Sequence, residues 1–224
     1  MNLSALHRRL LADVLAIGSP YPLVITGGYA VQAHGLVSRI SQDLDVATEN
    51  PAPMSDIAAD LAHQLGKRGW HVRVVSTDPL SARLMVTDPQ DGAECEVDVL
   101  KENLWAAPEP TEYGPVLALD DTIGTKVRAL ADRGAVRDLI DVHAASRLRS
   151  DADLERLGER HGRDAFSLDD LRDRLTGADW YDDEEFAAYG LDEAAISDIR
   201  GWAQRWATDI EERLAAAEYG DGTP

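Results

Sequence analysis

A single cysteine, Cys95, stands in 224 residues, which excludes an internal disulfide and any zinc site built on several thiolates. Basic residues are scarce: 22 Lys and Arg face 41 Asp and Glu, a net charge of −19. That balance argues against a broad basic face for duplex or tRNA, because such binding relies on neutralised phosphates. No run of eighteen apolar residues exists, so no membrane-spanning segment is expected. The opening MNLSALHRRL puts its charges after the first apolar residues and lacks the layout of a secretory signal. The expected location is cytoplasmic, with no membrane partner. What is present is a globular composition, 44% hydrophobic, long enough for one large domain or two small ones.

The acidity is uneven. Residues 1–150 carry 14 basic and 20 acidic side chains, whereas residues 151–224 carry 8 and 21. A local basic groove therefore remains open to the first part, and the last third reads as a solvated acidic surface. A general bias toward solubility accounts for that acidity equally simply.

Leu3, Leu6, Leu10, Val14 and Ile17 recur at helical spacing, so residues 3–17 are expected to form an amphipathic helix. The run PLVIT (22–26) suits a buried strand broken by Gly27-Gly28, with a short helix over 28–35. QDLDVAT (42–48) alternates as a second strand, and 54–69 is helical by pattern. WHVRVVS (70–76), ARLMVTD (82–88) and AECEVDVL (93–100) then read as three strands, the last two joined by the turn DPQDGA. The strand signal ends after the proline-containing stretch 105–115, with a hinge expected near Pro108–Pro115. Only helical patterns follow: 120–133, 135–148, 152–161, 168–176, 183–188 and 192–217, with a frayed tail over 220–224. The fold class is thus α+β: a mixed sheet flanked by helices over 1–115, then a helical C-terminal region over 116–224.

The chemistry concentrates in GGYAVQAHGLVSRISQDLDVA (27–47). A double glycine opens a helix, and Asp43-x-Asp45 follows on the next strand, where residues i and i+2 share a face. Two carboxylates so placed repel and need a compensating charge, which a hard divalent cation such as Mg²⁺ would supply. The glycines let a phosphate chain approach the backbone at a helix N-terminus. In ECEVDVL, Cys95, Val97 and Val99 share one face, while Glu94, Glu96 and Asp98 share the other. Asp98 sits within an apolar segment, where a carboxylate is costly unless paired or metal-bound. Three carboxylates on adjacent strands beside a glycine turn form the arrangement that two-metal phosphoryl transfer requires. The plainer alternatives are an exposed edge-strand DxD and a simple chain-turning glycine pair. Cys95 reads as a small core residue, His34 and His143 as packed histidines, and Trp202 with Trp206 as core of the last helix.

Gly-Gly, then Asp-x-Asp, then a later strand Asp resembles the DNA polymerase β-like nucleotidyltransferase superfamily. DTIGTKVRALADRGAVRDLIDVHA (121–144) sets Lys126 on one helix and Arg137-Asp138-x-x-Asp141 on the next. With HGLVSRISQDLDVA, it resembles the AbiEii/AbiGii toxin nucleotidyltransferases of type IV and related toxin–antitoxin systems, over about residues 20–145. The resemblance implies a catalytic set of Asp43, Asp45, Asp98 and Lys126, with the three aspartates as ligands for Mg²⁺ or Mn²⁺. It implies nucleotide contacts from Gly27, Gly28, Lys126, Asp138 and Asp141, with the helical region completing the nucleotide site. The superfamily's usual Gly-Ser is Gly27-Gly28 here, and Ser41 is the candidate to replace the missing hydroxyl. The implied reaction moves an NMP from an NTP, ATP among them, to an acceptor hydroxyl. The implied acceptor is RNA, particularly tRNA, or a protein, and the implied partner a cognate antitoxin. A small-molecule (aminoglycoside-like) nucleotidyltransferase and a non-catalytic nucleotide-binding or antitoxin-like partner are the alternatives. Without the upstream carboxylates, Lys126 would read as a solvated helix lysine and Arg137 with Asp141 as a surface pair.

Overall fold

The computed structural model describes residues 1–39, 41–162 and 165–220, apart from the side chains of 218–220. The tail expected to fray lies, beyond Gly220, outside the described residues. Contacts divide the chain into two units, Met1–Thr122 and Ile123–Pro224.

The first unit runs α1 (Ala5–Ile17), β1 (Val24–Ile25), α2 (Gly27–Ala33), β2 (Leu44–Thr48) and α3 (Met54–Lys67). It continues through β3 (His71–Asp78), β4 (Ser81–Thr87), β5 (Glu94–Lys101), β6 (Glu109–Thr111) and β7 (Gly114–Val116), and α4 (Leu119–Arg133) begins at its end. Helix α1 starts where Ser4 caps it, its side chain accepting from the His7 N–H at 3.0 Å. The seven strands lie in the order β3-β4-β5-β2-β1-β7-β6. Strands β2 and β5 pair in parallel, as do β1 and β7, and the other pairs are antiparallel, so the sheet is mixed.

Alternation along the strands separates the two faces. Leu44 and Val46 of β2, Leu84 and Val86 of β4, and Cys95, Val97 and Val99 of β5 join one buried cluster with Leu10, Leu11 and Val14 of α1 and Ile57, Leu61 and Leu65 of α3. Ala47 of β2 points the other way and packs with Val24 and Leu117. Asp45 and Asp98 alternate with the first set, so both carboxylates stand on the face away from the main core.

Three expectations are corrected. The strand at 22–26 shortens to Val24–Ile25. The strand at 42–48 begins only at Leu44, which leaves Asp43 on the segment before it and only Asp45 of the pair within the ladder. The stretch 105–115 is not the end of the sheet: β6 and β7 form a hairpin, and Ile25 pairs with Val116. Pro110 and Pro115 face each other across that hairpin. Proline donates no ladder hydrogen bond, so this pairing is tolerated at a sheet margin while erasing the usual strand signature.

The second unit is helical: most of α4, α5 (Val136–Ala145), α6 (Asp151–Gly162), α7 (Leu168–Thr176), a 3₁₀ turn over Gly177–Trp180, α8 (Asp183–Ala187) and α9 (Glu193–Gly220). Helix α9 packs on α5, α7 and α8, and Trp202 and Trp206 are both buried, 5.3 Å between ring centroids. Buried Glu155 accepts from the Trp206 indole N–H at 2.8 Å and from both terminal nitrogens of Arg213 at 3.0 and 2.6 Å.

Candidate active site

Strand pairing brings two of the first unit's candidate carboxylates together. Asp45 of β2 and Asp98 of β5 are register partners in the parallel ladder, so their side chains leave the sheet side by side. Immediately after β1, Gly27 takes φ +59, and a Cβ there would run into the Asp45 carboxylate. A Cβ on Gly28 would stand 2.5 Å from the Ser41 hydroxyl oxygen and 3.6 Å from an Arg39 nitrogen. The double glycine thus keeps backbone close against Asp45 and Ser41, an approach that side chains would block. The Ser41 hydroxyl donates to Asp43 at 3.1 Å, and the Thr26 N–H donates to the Asp45 carbonyl at 3.0 Å.

Helix α2 holds the segment leading to Asp43. Tyr29 donates to the Ser41 carbonyl at 3.4 Å, and Gln32 donates to the Arg39 carbonyl at 2.8 Å. His7 of α1 places Nδ1 2.5 Å from the Tyr29 hydroxyl. Burial pushes the Tyr29 phenol up to about 12, with Cys95 and Asp43 adding to the rise. Burial also lowers the His7 pKa against the opposing pull of Asp43, so the imidazole stays neutral at pH 7. The Cys95 thiol is driven up to about 12, chiefly by burial, which keeps it protonated and inert on the core side of β5. His34 ends α2 and sits with Nε2 2.7 Å from the Leu117 carbonyl: a packed, bonded histidine.

Sequence reasoning missed Arg83. On β4 it faces Asp98 across the antiparallel ladder. Its Nε donates to one Asp98 oxygen at 2.8 Å and a terminal nitrogen to the other at 2.7 Å. The second terminal nitrogen lies 3.1 Å from Glu96. This two-pronged bond, with Glu96 beside it, holds the guanidinium even more firmly charged than usual. The hairpin register was the available signal, since pairing Thr87 with Glu94 sets Arg83 opposite Asp98. Among the described residues, no three His, Cys, Asp or Glu side chains converge to hold a metal ion. The donor chemistry nonetheless suits a hard divalent cation: all-oxygen, carboxylate-rich and set against a glycine backbone.

In the second unit, Lys126 of α4 reaches two carboxylates of α5, with Nζ 2.9 Å from Asp141 and 3.5 Å from Asp138. Both aspartates are fully buried and Lys126 nearly so. Arg133 adds a fork to Asp138 at 2.7 and 3.0 Å. Burial alone would raise the Asp138 pKa, but Lys126, Arg133 and Arg137 outweigh it and hold the carboxyl below its ordinary range. The solvated lysine is therefore not what forms, and Asp141 is inside, against Lys126, rather than on the surface.

The model of one family, the nucleotidyl transferase AbiEii toxin of type IV TA systems, matches residues 9–210. The chain belongs to this family. As an AbiEii member it belongs to the nucleotidyltransferase toxins of type IV TA systems. JHP933 from Helicobacter pylori is similar to it in structure at 17% identity, with 98% of this chain and 97% of that one covered and a TM-score of 0.54. MenT4, the nucleotidyltransferase toxin Rv2826c from Mycobacterium tuberculosis H37Rv, is similar at 19% identity, with 95% and 92% covered and a TM-score of 0.57. At such identities the likeness is one of fold. No curated protein matches the AbiEii chain. Among its described residues, no helix is long and apolar enough to cross a membrane.

Proposed function

We propose that this AbiEii protein transfers a nucleoside monophosphate from an NTP to a hydroxyl on RNA. The acceptor oxygen bonds to the α-phosphorus, the bond from that phosphorus to the β-phosphate bridge breaks, the hydroxyl proton is released, and pyrophosphate leaves. The observation that carries this reading is Asp45 beside Asp98 on neighbouring parallel strands, with the Gly27-Gly28 backbone pressed against Asp45. Asp43, Asp45 and Asp98 would hold Mg²⁺ or Mn²⁺. Bound there, the cation would neutralise triphosphate charge and acidify the acceptor hydroxyl. Ser41 keeps the Asp43 carboxylate in place by its hydrogen bond, and Gly27 and Gly28 offer backbone N–H groups to phosphate oxygens. Within the helical unit, Asp138 and Asp141 orient Lys126, the cation that the family resemblance implies for nucleotide phosphates. A cognate antitoxin is the expected protein partner.

The charge of −19 favours a second acceptor class, a cationic small molecule. One assay separates the classes: α-³²P-labelled NTPs with Mg²⁺, offered to total bacterial RNA, to protein and to an aminoglycoside panel. Label on RNA, reduced at least about 100-fold by Asp45→Asn, is the expected result. Label on protein or on the aminoglycosides alone reassigns the acceptor. Full activity in both Asp43→Asn and Asp45→Asn ends the carboxylate-site reading.

A further inference from the structure

The lone pairs that Asp98 would offer a cation already have a taker on the next strand. Both of its oxygens accept from Arg83, at 2.8 and 2.7 Å. A guanidinium bonded this way sets a positive charge where a divalent cation would have to sit close by, so the two compete for one carboxylate. Two features make the exchange possible without disturbing the core. The Arg83 side chain is 42% exposed while that of Asp98 is 15% exposed, so the arginine is the partner with room to move. Glu96, two residues before Asp98 on the same face of β5, already lies 3.1 Å from an Arg83 nitrogen and offers the released guanidinium another carboxylate.

We propose that Arg83 is a latch on the candidate cation site, bonding Asp98 in the metal-free protein and shifting to Glu96 when a divalent cation takes Asp98. The proposal rests on the reading of Asp43, Asp45 and Asp98 as that site. It makes Arg83 a positioning residue and gives Glu96 the role of its alternative acceptor. The two substitutions must then act in opposite directions. Removing Arg83 frees Asp98 for the cation, whereas removing the Glu96 charge commits Arg83 to Asp98 more strongly. A purely structural Arg83, one that holds Asp98 ready for metal, would give the reverse sign at Arg83.

The test is Mn²⁺ titration of the full metal-free chain, followed by electron paramagnetic resonance, for wild type, Arg83→Gln, Glu96→Gln, the double variant and Asp45→Asn. Arg83→Gln is expected to tighten Mn²⁺ binding by about fivefold, the scale of a partly exposed ion pair. Glu96→Gln is expected to loosen it, and the double variant to match Arg83→Gln alone. Unchanged or weaker binding in Arg83→Gln overturns the latch. Should that variant fail to fold, unchanged or tighter binding in Glu96→Gln overturns it instead. Mn²⁺ binding that Asp45→Asn leaves intact overturns the cation site itself, a failure distinct from that of the latch.

Discussion

Asp138 has no solvent exposure, yet its carboxyl is held below the ordinary value of 3.8 by the cations around it. A folded-state pKa that lies under the unfolded one contributes stability fully above the unfolded value and loses it as pH falls through the folded value. Asp138→Asn is therefore expected to cost about 3 kcal/mol near neutrality, as the breaking of a buried pair does. Urea unfolding at a series of pH values should show the gap to wild type closing below the ordinary value of 3.8. A gap that stays constant down to pH 2 would mean that the ion pairs contribute nothing measurable. The same geometry warns against reading Lys126 by activity alone. Its removal leaves two buried carboxylates short of a cation, so any lost transfer must be set beside a melting curve.

At the scale of elements, the junction of β1 and α2 decides how closely the backbone meets Asp45. Gly27→Ala meets two obstacles: a positive φ, disfavoured by about 1–2 kcal/mol for residues with a Cβ, and collision with the Asp45 carboxylate. Gly35 is the internal control, since it also has a positive φ, +70, but open space around its Cβ position. Gly35→Ala should lower the melting temperature and keep nucleotidyl transfer, whereas Gly27→Ala should lose both. Equal activity in the two variants would remove the steric argument. Much of this junction was legible in the sequence, because a double glycine after a β-branched run marks the break from strand to helix. The helices after Leu119 were legible too, from their apolar spacing. The β6–β7 hairpin was not, since Pro110 and Pro115 suppress the very pattern by which strands are recognised. Nor was Arg83 tied to Asp98, because that contact needs a strand register as well as an alternation. That Asp138 and Asp141 share a face able to orient Lys126 was legible from their helical spacing; their burial was not, because spacing puts residues on a face without saying what covers that face.

For the whole molecule, 41 acidic residues against 22 basic ones mean self-repulsion in the folded state. Raising NaCl from about 10 mM to about 150 mM shortens the screening length from about 30 Å to about 8 Å. The melting temperature should rise across that range. A fall would mean that ion pairs such as Arg213 with Glu155 outweigh the repulsion.

The pairing of β2 with β5 also bears on when the protein becomes harmful to the cell that makes it. Asp45 finds Asp98 only after α3, β3 and β4 have been made, and parallel pairing over such a stretch forms slowly because a long loop must close first. A nascent chain on the ribosome therefore carries Asp43 and Asp45 before it carries Asp98, the third carboxylate of the proposed cation site. On that reading, synthesis itself imposes a delay between the first appearance of the sequence and the first moment the site is complete.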